Sequence, residues 1–228
     1  VRAGIRYLVL TAGRTRSPLA ALAVSVFALL GTYAGTRNEV GQTFALTALL
    51  CGGLAAWLVG AVLDAEPRAQ AEIADAALGG RRGRSRLDVL LASLAAGGLT
   101  FAFIAYPLAL GAVRPEVFER HPRAGDLVAA TLAHLSCGLL GGAVAVLFGP
   151  PRVARRATAI AAVLATLIAL VALSDPLGDA GGPVAVARAL ADARPGAVGG
   201  ALLGACASCL VACAAALGTA HAWARRSA

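Results

Sequence analysis

Lysine and methionine are both absent from this sequence, acidic residues number twelve, and aromatic residues make up only 5% of it. Each shortage removes a class of function. Without lysine there is no GxxxxGK[ST] phosphate loop and no ammonium group to hold a nucleotide phosphate, so the chain does not bind ATP in that way by itself. No HExxH pair occurs, which removes that form of metal-dependent protease. No aspartate or glutamate lies in the interior of an apolar run, where a carrier driven by a proton or sodium gradient needs a carboxylate. His134 is left as the one foothold for such chemistry.

What is present in quantity is apolar. Hydrophobic residues are 59% of the chain and the mean hydropathy is +0.77, well beyond what the core of a water-soluble domain requires. Six apolar runs stand out, at about 19–35, 40–63, 89–113, 127–148, 157–173 and 197–217. At a rise of about 1.5 Å per residue, runs of roughly 17 to 25 residues cover a hydrocarbon core of about 30 Å. The expected fold is therefore all-α: a polytopic membrane protein with six transmembrane helices in a single transmembrane domain over residues 1–228. The first run begins only after Pro18, is preceded by Arg14 and Arg16, and is followed by no cleavage-site pattern, so it is expected to be a span and not a removed signal. Val1 reads as an alternative start codon written literally.

All twenty basic residues are arginine, which together with the abundance of alanine and glycine suggests a GC-rich bacterial genome. Their distribution orients the chain. With the N-terminus inside, the tails and the connections after the second and fourth runs hold fourteen arginines, against six in the segments outside. The positive-inside rule then places both termini in the cytoplasm, in a multi-pass protein of the bacterial cytoplasmic membrane. Seven of the twelve acids fall outside, so the net charge of +8 is a property of the cytoplasmic face and needs no nucleic-acid partner to explain it.

The longest polar segment between two runs is Asp64 to Asp88, DAEPRAQAEIADAALGGRRGRSRLD. Pro67 suits the first turn of a helix, Ala69, Ile73 and Ala76/Ala77 fall on one face, and Gly79–Gly80 ends it. An amphipathic helix of roughly three turns is expected there. RRGRSR then forms a basic collar at the mouth of the third run. The segment is either a surface that meets a cytoplasmic partner or a solvated loop whose charges set topology.

Elsewhere the pattern is mostly architectural. Residues 2–16 set Ile5, Leu8, Val9 and Leu10 among arginines, as an N-terminal interfacial helix or a frayed basic tail would. Small residues recur at Gly52/Ala56/Gly60, Ser93/Gly97, Gly138/Gly142 and Gly200/Gly204/Ser208, spacings that let another backbone approach. Tyr106–Pro107 predicts a bend in the third span. Arg114 to Asp126 reads as an external cap without a catalytic role. Within Ser174 to Gly196, Val184, Val186/Ala187, Leu190 and Ala191 share one face, which predicts a short amphipathic helix at the outer surface.

Two groups of residues bear on chemistry. His134, inside the fourth run, is either a possible intramembrane polar site or a neutral histidine bonded to a neighbouring helix. Cys206, Cys209 and Cys213 share one face of the sixth run and are joined elsewhere by Cys51 and Cys137. A CxxC pair can serve redox or metal chemistry, but these thiols lie at membrane depth with no further ligand set, and read as small apolar packing. No metal is expected.

The arrangement resembles the ABC-2 type transporter permease family, in its small six-span actinobacterial form. The likeness covers nearly the whole chain, and Ala77 to Ala92, ALGGRRGRSRLDVLLA, is similar to the stretch with which such permeases enter their third span. The resemblance implies a transport subunit with no catalytic residues and no cofactor of its own. ATP and Mg would be bound by a separate ABC ATPase subunit, and the conducting unit would be a homodimer or heterodimer of permease chains in the lipid membrane. The helix between spans two and three would couple to the ATPase, which by position implicates Pro67, Arg68, Glu72 and Asp75, with the charges of Glu72 and Asp75 meeting the partner. The apolar walls fit a hydrophobic or amphipathic cargo. Two other readings stand beside this one: a non-transporting scaffold or accessory subunit, and an intramembrane enzyme centred on His134.

Overall fold

The computed structural model describes residues 10, 13, 16–34, 38–66, 73, 76–77, 80–113, 117–149, 156–172 and 182–226. Among them there are seven helices and no strand. In chain order these are α1 (Arg16–Thr32), α2 (Val40–Asp64), α3 (Arg81–Val113), α4 (Ala124–Phe148), α5 (Arg156–Ala172), α6 (Pro183–Ala191) and α7 (Gly200–Arg226). Four of them contain stretches long and apolar enough to cross a membrane: Val40–Asp64, Arg86–Gly111, Ala124–Phe148 and Gly200–Trp223. α1 and α5, each of 17 residues among the described ones, are not among these four. The N-terminal interfacial helix expected over 2–16 lies almost wholly outside the described residues, as does most of the helix expected from Pro67 to Leu78. Within the latter, Ile73, Ala76 and Ala77 are helical and exposed. The basic collar is not a loop but the opening turns of α3, set off by Gly80, whose φ of +77° is a conformation that only glycine adopts without strain.

The centre of the bundle is α4 against α2. A Cβ at Gly141 would run into the Gly52 carbonyl, and one at Gly52 would lie 3.1 Å from the Cys137 carbonyl oxygen, so the two backbones touch. On the adjoining face of α4, Cβ atoms at Gly138 and Gly142 would meet Ala96 at 3.0 Å and Ala92 at 2.9 Å, which seats α3 equally close. Small residues on these faces allow close van der Waals contact, the main attraction left when lipid removes the hydrophobic drive. The other small stripes are not used in this way. A Cβ at Gly60, Gly97, Gly200 or Gly204 would meet nothing among the described residues within 4 Å, so the close approach expected at Gly97, Gly200 and Gly204 is not made among them. Large apolar side chains on the periphery, among them Phe27, Phe101 and Val211, stay exposed as lipid-facing residues do.

One end of the bundle is stitched by its connections. Asn38 N–H donates to the Val117 carbonyl and Glu119 N–H to that of Asn38, joining the α1–α2 and α3–α4 connections. The amphipathic α6 is present, but it docks on the protein instead of only lying on the membrane. Ala185, Val186, Ala187 and Leu190 are buried, Ala191 of the expected apolar face is exposed, and Gly41 of α2 abuts the carbonyls of Leu190 and Ala191.

Pro107 lies buried within α3, which continues through it. Lacking an N–H, Pro107 leaves the Phe103 carbonyl, four residues earlier, without its helical partner. The Tyr33 hydroxyl, just beyond the end of α1, donates to that carbonyl at 3.1 Å. Tyr33→Phe is expected to cost about 1–3 kcal/mol in this background, the range for stranding a buried polar group. Combined with Pro107→Ala, which restores the helical N–H, the same change is expected to cost far less. Denaturant unfolding of the four proteins in detergent measures the coupling, and an equal cost in both backgrounds would show that the hydroxyl does not replace the missing bond.

Candidate functional site

Three constellations of polar or reactive side chains stand out in the fold. The first is around His134, in the middle of α4 and without exposed surface. Its Nδ1 lies 2.7 Å from the Ala130 carbonyl oxygen and its Nε2 lies 2.9 Å from Thr47 Oγ1 on α2. A carbonyl only accepts, so Nδ1 carries the proton, and in the neutral ring Nε2 accepts from the Thr47 hydroxyl. An imidazolium would have no carboxylate beside it, since the ring is flanked by Phe44 and Phe103 with centroids 6.2 and 6.0 Å away. Both ring nitrogens are thus engaged by the protein itself, and the histidine bonds to a neighbouring helix.

The second constellation gathers all five thiols: Cys51 from α2, Cys137 from α4, and Cys206, Cys209 and Cys213 from α7. All are reduced and buried. Cys51 donates to the His134 carbonyl at 3.6 Å, Cys213 donates to that of Leu139 at 3.5 Å, and Cys206 Sγ receives the Ser136 hydroxyl at 3.4 Å. The side chains fill the α2–α4–α7 seam as small apolar groups with weak donors. Among the described residues no group of three or more His, Cys, Asp or Glu side chains is placed to hold a metal ion.

The third was not legible as a site in the sequence. Glu66 follows the C-terminus of α2, and its carboxylate receives the Arg84 guanidinium in a bidentate pair, Nη1 to Oε1 at 2.9 Å and Nη2 to Oε2 at 2.6 Å. Arg84 Nε reaches Asp88 Oδ1, one turn along α3, at 3.3 Å. The three side chains are only 12%, 5% and 4% exposed for Arg84, Glu66 and Asp88. Arg84, counted in the sequence among the collar arginines available to a partner, is committed internally. The i,i+4 spacing of Arg84 and Asp88 was the available signal. The match to Glu66 needed the fold. Pro67, Arg68, Glu72 and Asp75 all lie outside the described residues, in the segment whose two ends this triad joins.

At the opposite end Asp126 plays a comparable part. It accepts from Arg120 at 2.7 and 3.2 Å, from the Arg123 N–H at 2.7 Å and from the Gly196 N–H at 2.6 Å. The hydrogen bond to Asp126 holds the Arg120 guanidinium above its ordinary pKa. The α3–α4 connection thereby reads as a structural cap. Near the Glu66 end, a groove of about 350 Å³ opens between α2, α4 and α5, lined mostly by small and apolar residues such as Ala56, Trp57, Ile160 and Val163.

No protein-family model, curated protein or solved structure matches this chain.

Thr47→Val, which keeps the shape but removes the hydroxyl, is expected to destabilise the protein by about 1–3 kcal/mol by leaving His134 Nε2 unpaired, whereas Thr47→Ser retains most of the stability. Thermal unfolding in detergent decides it. Equal stability of the valine and serine variants would mean that the hydrogen bond contributes nothing.

Proposed function

We propose that this chain is the membrane-spanning permease subunit of an ATP-driven ABC exporter of the bacterial cytoplasmic membrane, moving a hydrophobic or amphipathic substrate. The observation that carries the reading is the Glu66–Arg84 pair. A charged segment, residues 67–80, leaves the end of one apolar helix and returns to the start of the next, and its two ends are held together by a buried bidentate ion pair. Such a segment suits a docking element that receives a push from a partner. With no lysine for a phosphate loop, the chain depends on a separate ABC ATPase subunit, which binds ATP and Mg. Nucleotide-driven closure of that subunit would act on the segment and shift the permease between inward and outward states. Six spans with both termini inside, and pairing with an identical or a second permease chain, belong to this reading.

One observation favours a second reading. The described centre of the bundle is filled, with Ala48, Ala55, Ala130, Ala133, Cys137 and Ala143 entirely buried. A filled centre serves a non-transporting scaffold or accessory subunit equally well. The enzyme reading receives less support, because His134 is sealed by Phe44, Phe103 and Thr47.

Purification of a tagged chain from its native membrane in mild detergent, followed by mass spectrometry, separates these readings. A stoichiometric ATPase subunit is expected, and its loss is expected in a Glu72→Arg/Asp75→Arg variant that stays folded. A wild-type preparation free of any ATPase would overturn the permease reading in favour of the scaffold.

A further inference from the structure

We propose that Glu66, Arg84 and Asp88 are positioning residues: a clamp that fixes the two ends of the 67–80 segment relative to each other, so that load on the segment moves α2 and α3 together. The proposal deepens the permease reading and rests on it for the source of the load. The clamp itself rests on geometry alone.

Three features argue for a clamp and against an incidental surface pair. The contact is bidentate, and two parallel N–H···O bonds fix the plane of the guanidinium against the plane of the carboxylate, which a point charge does not do. Asp88 takes the Nε edge of the same guanidinium, so the fork is held from two sides and cannot swing off Glu66. All three side chains are withdrawn from water, where competition by solvent and screening by salt are weak.

The placement of the anchors gives the clamp its consequence. Glu66 sits just after α2, its N–H donating to the Leu63 carbonyl, and the preceding Ala65 N–H reaches the carbonyls of Ala61 and Val62. Arg84 lies in the first turn of α3, its N–H donating to the carbonyl of Gly80, the residue with φ of +77°. The triad therefore joins a helix end to a helix start. An unclamped segment could absorb a displacement by parting these two ends. With the fork in place, the ends move as one body.

Arg84→Lys is the informative substitution, because it keeps the charge and removes the fork. Glu66→Gln is its counterpart on α2, and Arg84→Gln is the severe control. The full chain is studied in nanodiscs with whatever ATPase subunit co-purifies. Amide hydrogen exchange is followed at Ala65, Glu66 and Arg84, both nucleotide-free and after trapping with ATP, Mg and vanadate. In Arg84→Lys and Glu66→Gln, exchange at these amides is expected to rise roughly tenfold or more while the melting temperature and the yield of complex stay near wild type. The nucleotide-dependent change in exchange in the first turns of α3 is expected to shrink by about fivefold or more. A residue that only helped the fold would lower yield and melting temperature and leave that nucleotide response unchanged in the protein that remains. Unaltered exchange at all three amides in both conservative variants would overturn the clamp. If no ATPase accompanies the wild-type chain, the permease reading fails separately, and the nucleotide-free exchange still decides whether the triad holds the two ends.

Discussion

The fold depends on how closely α4 can lie against α2. Gly141 and Gly52 bring the two backbones into contact, and no side chain larger than hydrogen fits at Gly141 without pushing them apart. Much else follows from that spacing. It lets Thr47 on α2 reach His134 on α4. It brings Cys51 beneath the His134 carbonyl, and with α3 seated by Ala92 and Ala96 on the adjoining face of α4 it makes a three-helix cluster with a sealed middle. In lipid, where burying apolar surface between helices gains little, such complementarity is the main source of cohesion.

The second constraint is that polar groups inside the cluster find no water. Most of those described are answered by another part of the chain, and Thr100 Oγ1 is the one left without a hydrogen-bond partner among the described residues. The carbonyl freed by Pro107 takes the Tyr33 hydroxyl, and the imidazole of His134 takes Ala130 and Thr47. Charges are kept to the two ends. Asp126 gathers two connections at one, and Arg84 gathers α2 and α3 at the other. Cohesion is therefore divided by depth, with packing through the middle and ionic hydrogen bonds at the rims.

Much of this division was legible in the sequence and some was not. Apolar runs located the bundle helices to within a few residues for α2 and α4, because a long run bounded by charges leaves little freedom in where a helix ends. The start of α3 was missed by two turns, since RRGRSR carries no apolar signal and its helicity follows from Gly80 and from the clamp. The small stripes were a fair guide to close packing in α2 and α4 and a poor one in α3 and α7. Spacing announces that a face is small but not whether a neighbour comes to it. The cysteine face of α7 was visible at i, i+3 and i+7, but its meeting with Cys51 and Cys137 depends on the packing of three helices. The residues expected to meet a partner lie outside the described structure. The triad that joins the ends of their segment, separated by 18 residues between Glu66 and Arg84, had no local signature beyond one i,i+4 pair.

The closed centre constrains any transport reading. Ala130, Ala133, Cys137 and Ala143 run along α4 without exposed surface, and His134 among them is sealed by aromatic rings. Opening a path there would separate backbones now in contact and strand the His134–Thr47 pair in an apolar medium, both at considerable cost. A cargo route through the middle of one chain is therefore disfavoured. The faces with room are peripheral, where a Cβ at Gly97 of α3 or at Gly200 or Gly204 of α7 would meet nothing among the described residues within 4 Å. If this chain conducts, it does so along a surface completed by something other than itself. The bundle then moves as a solid half, and a fixed link between α2 and α3 would carry motion from one rim into that half without dissipating it in the loop between them.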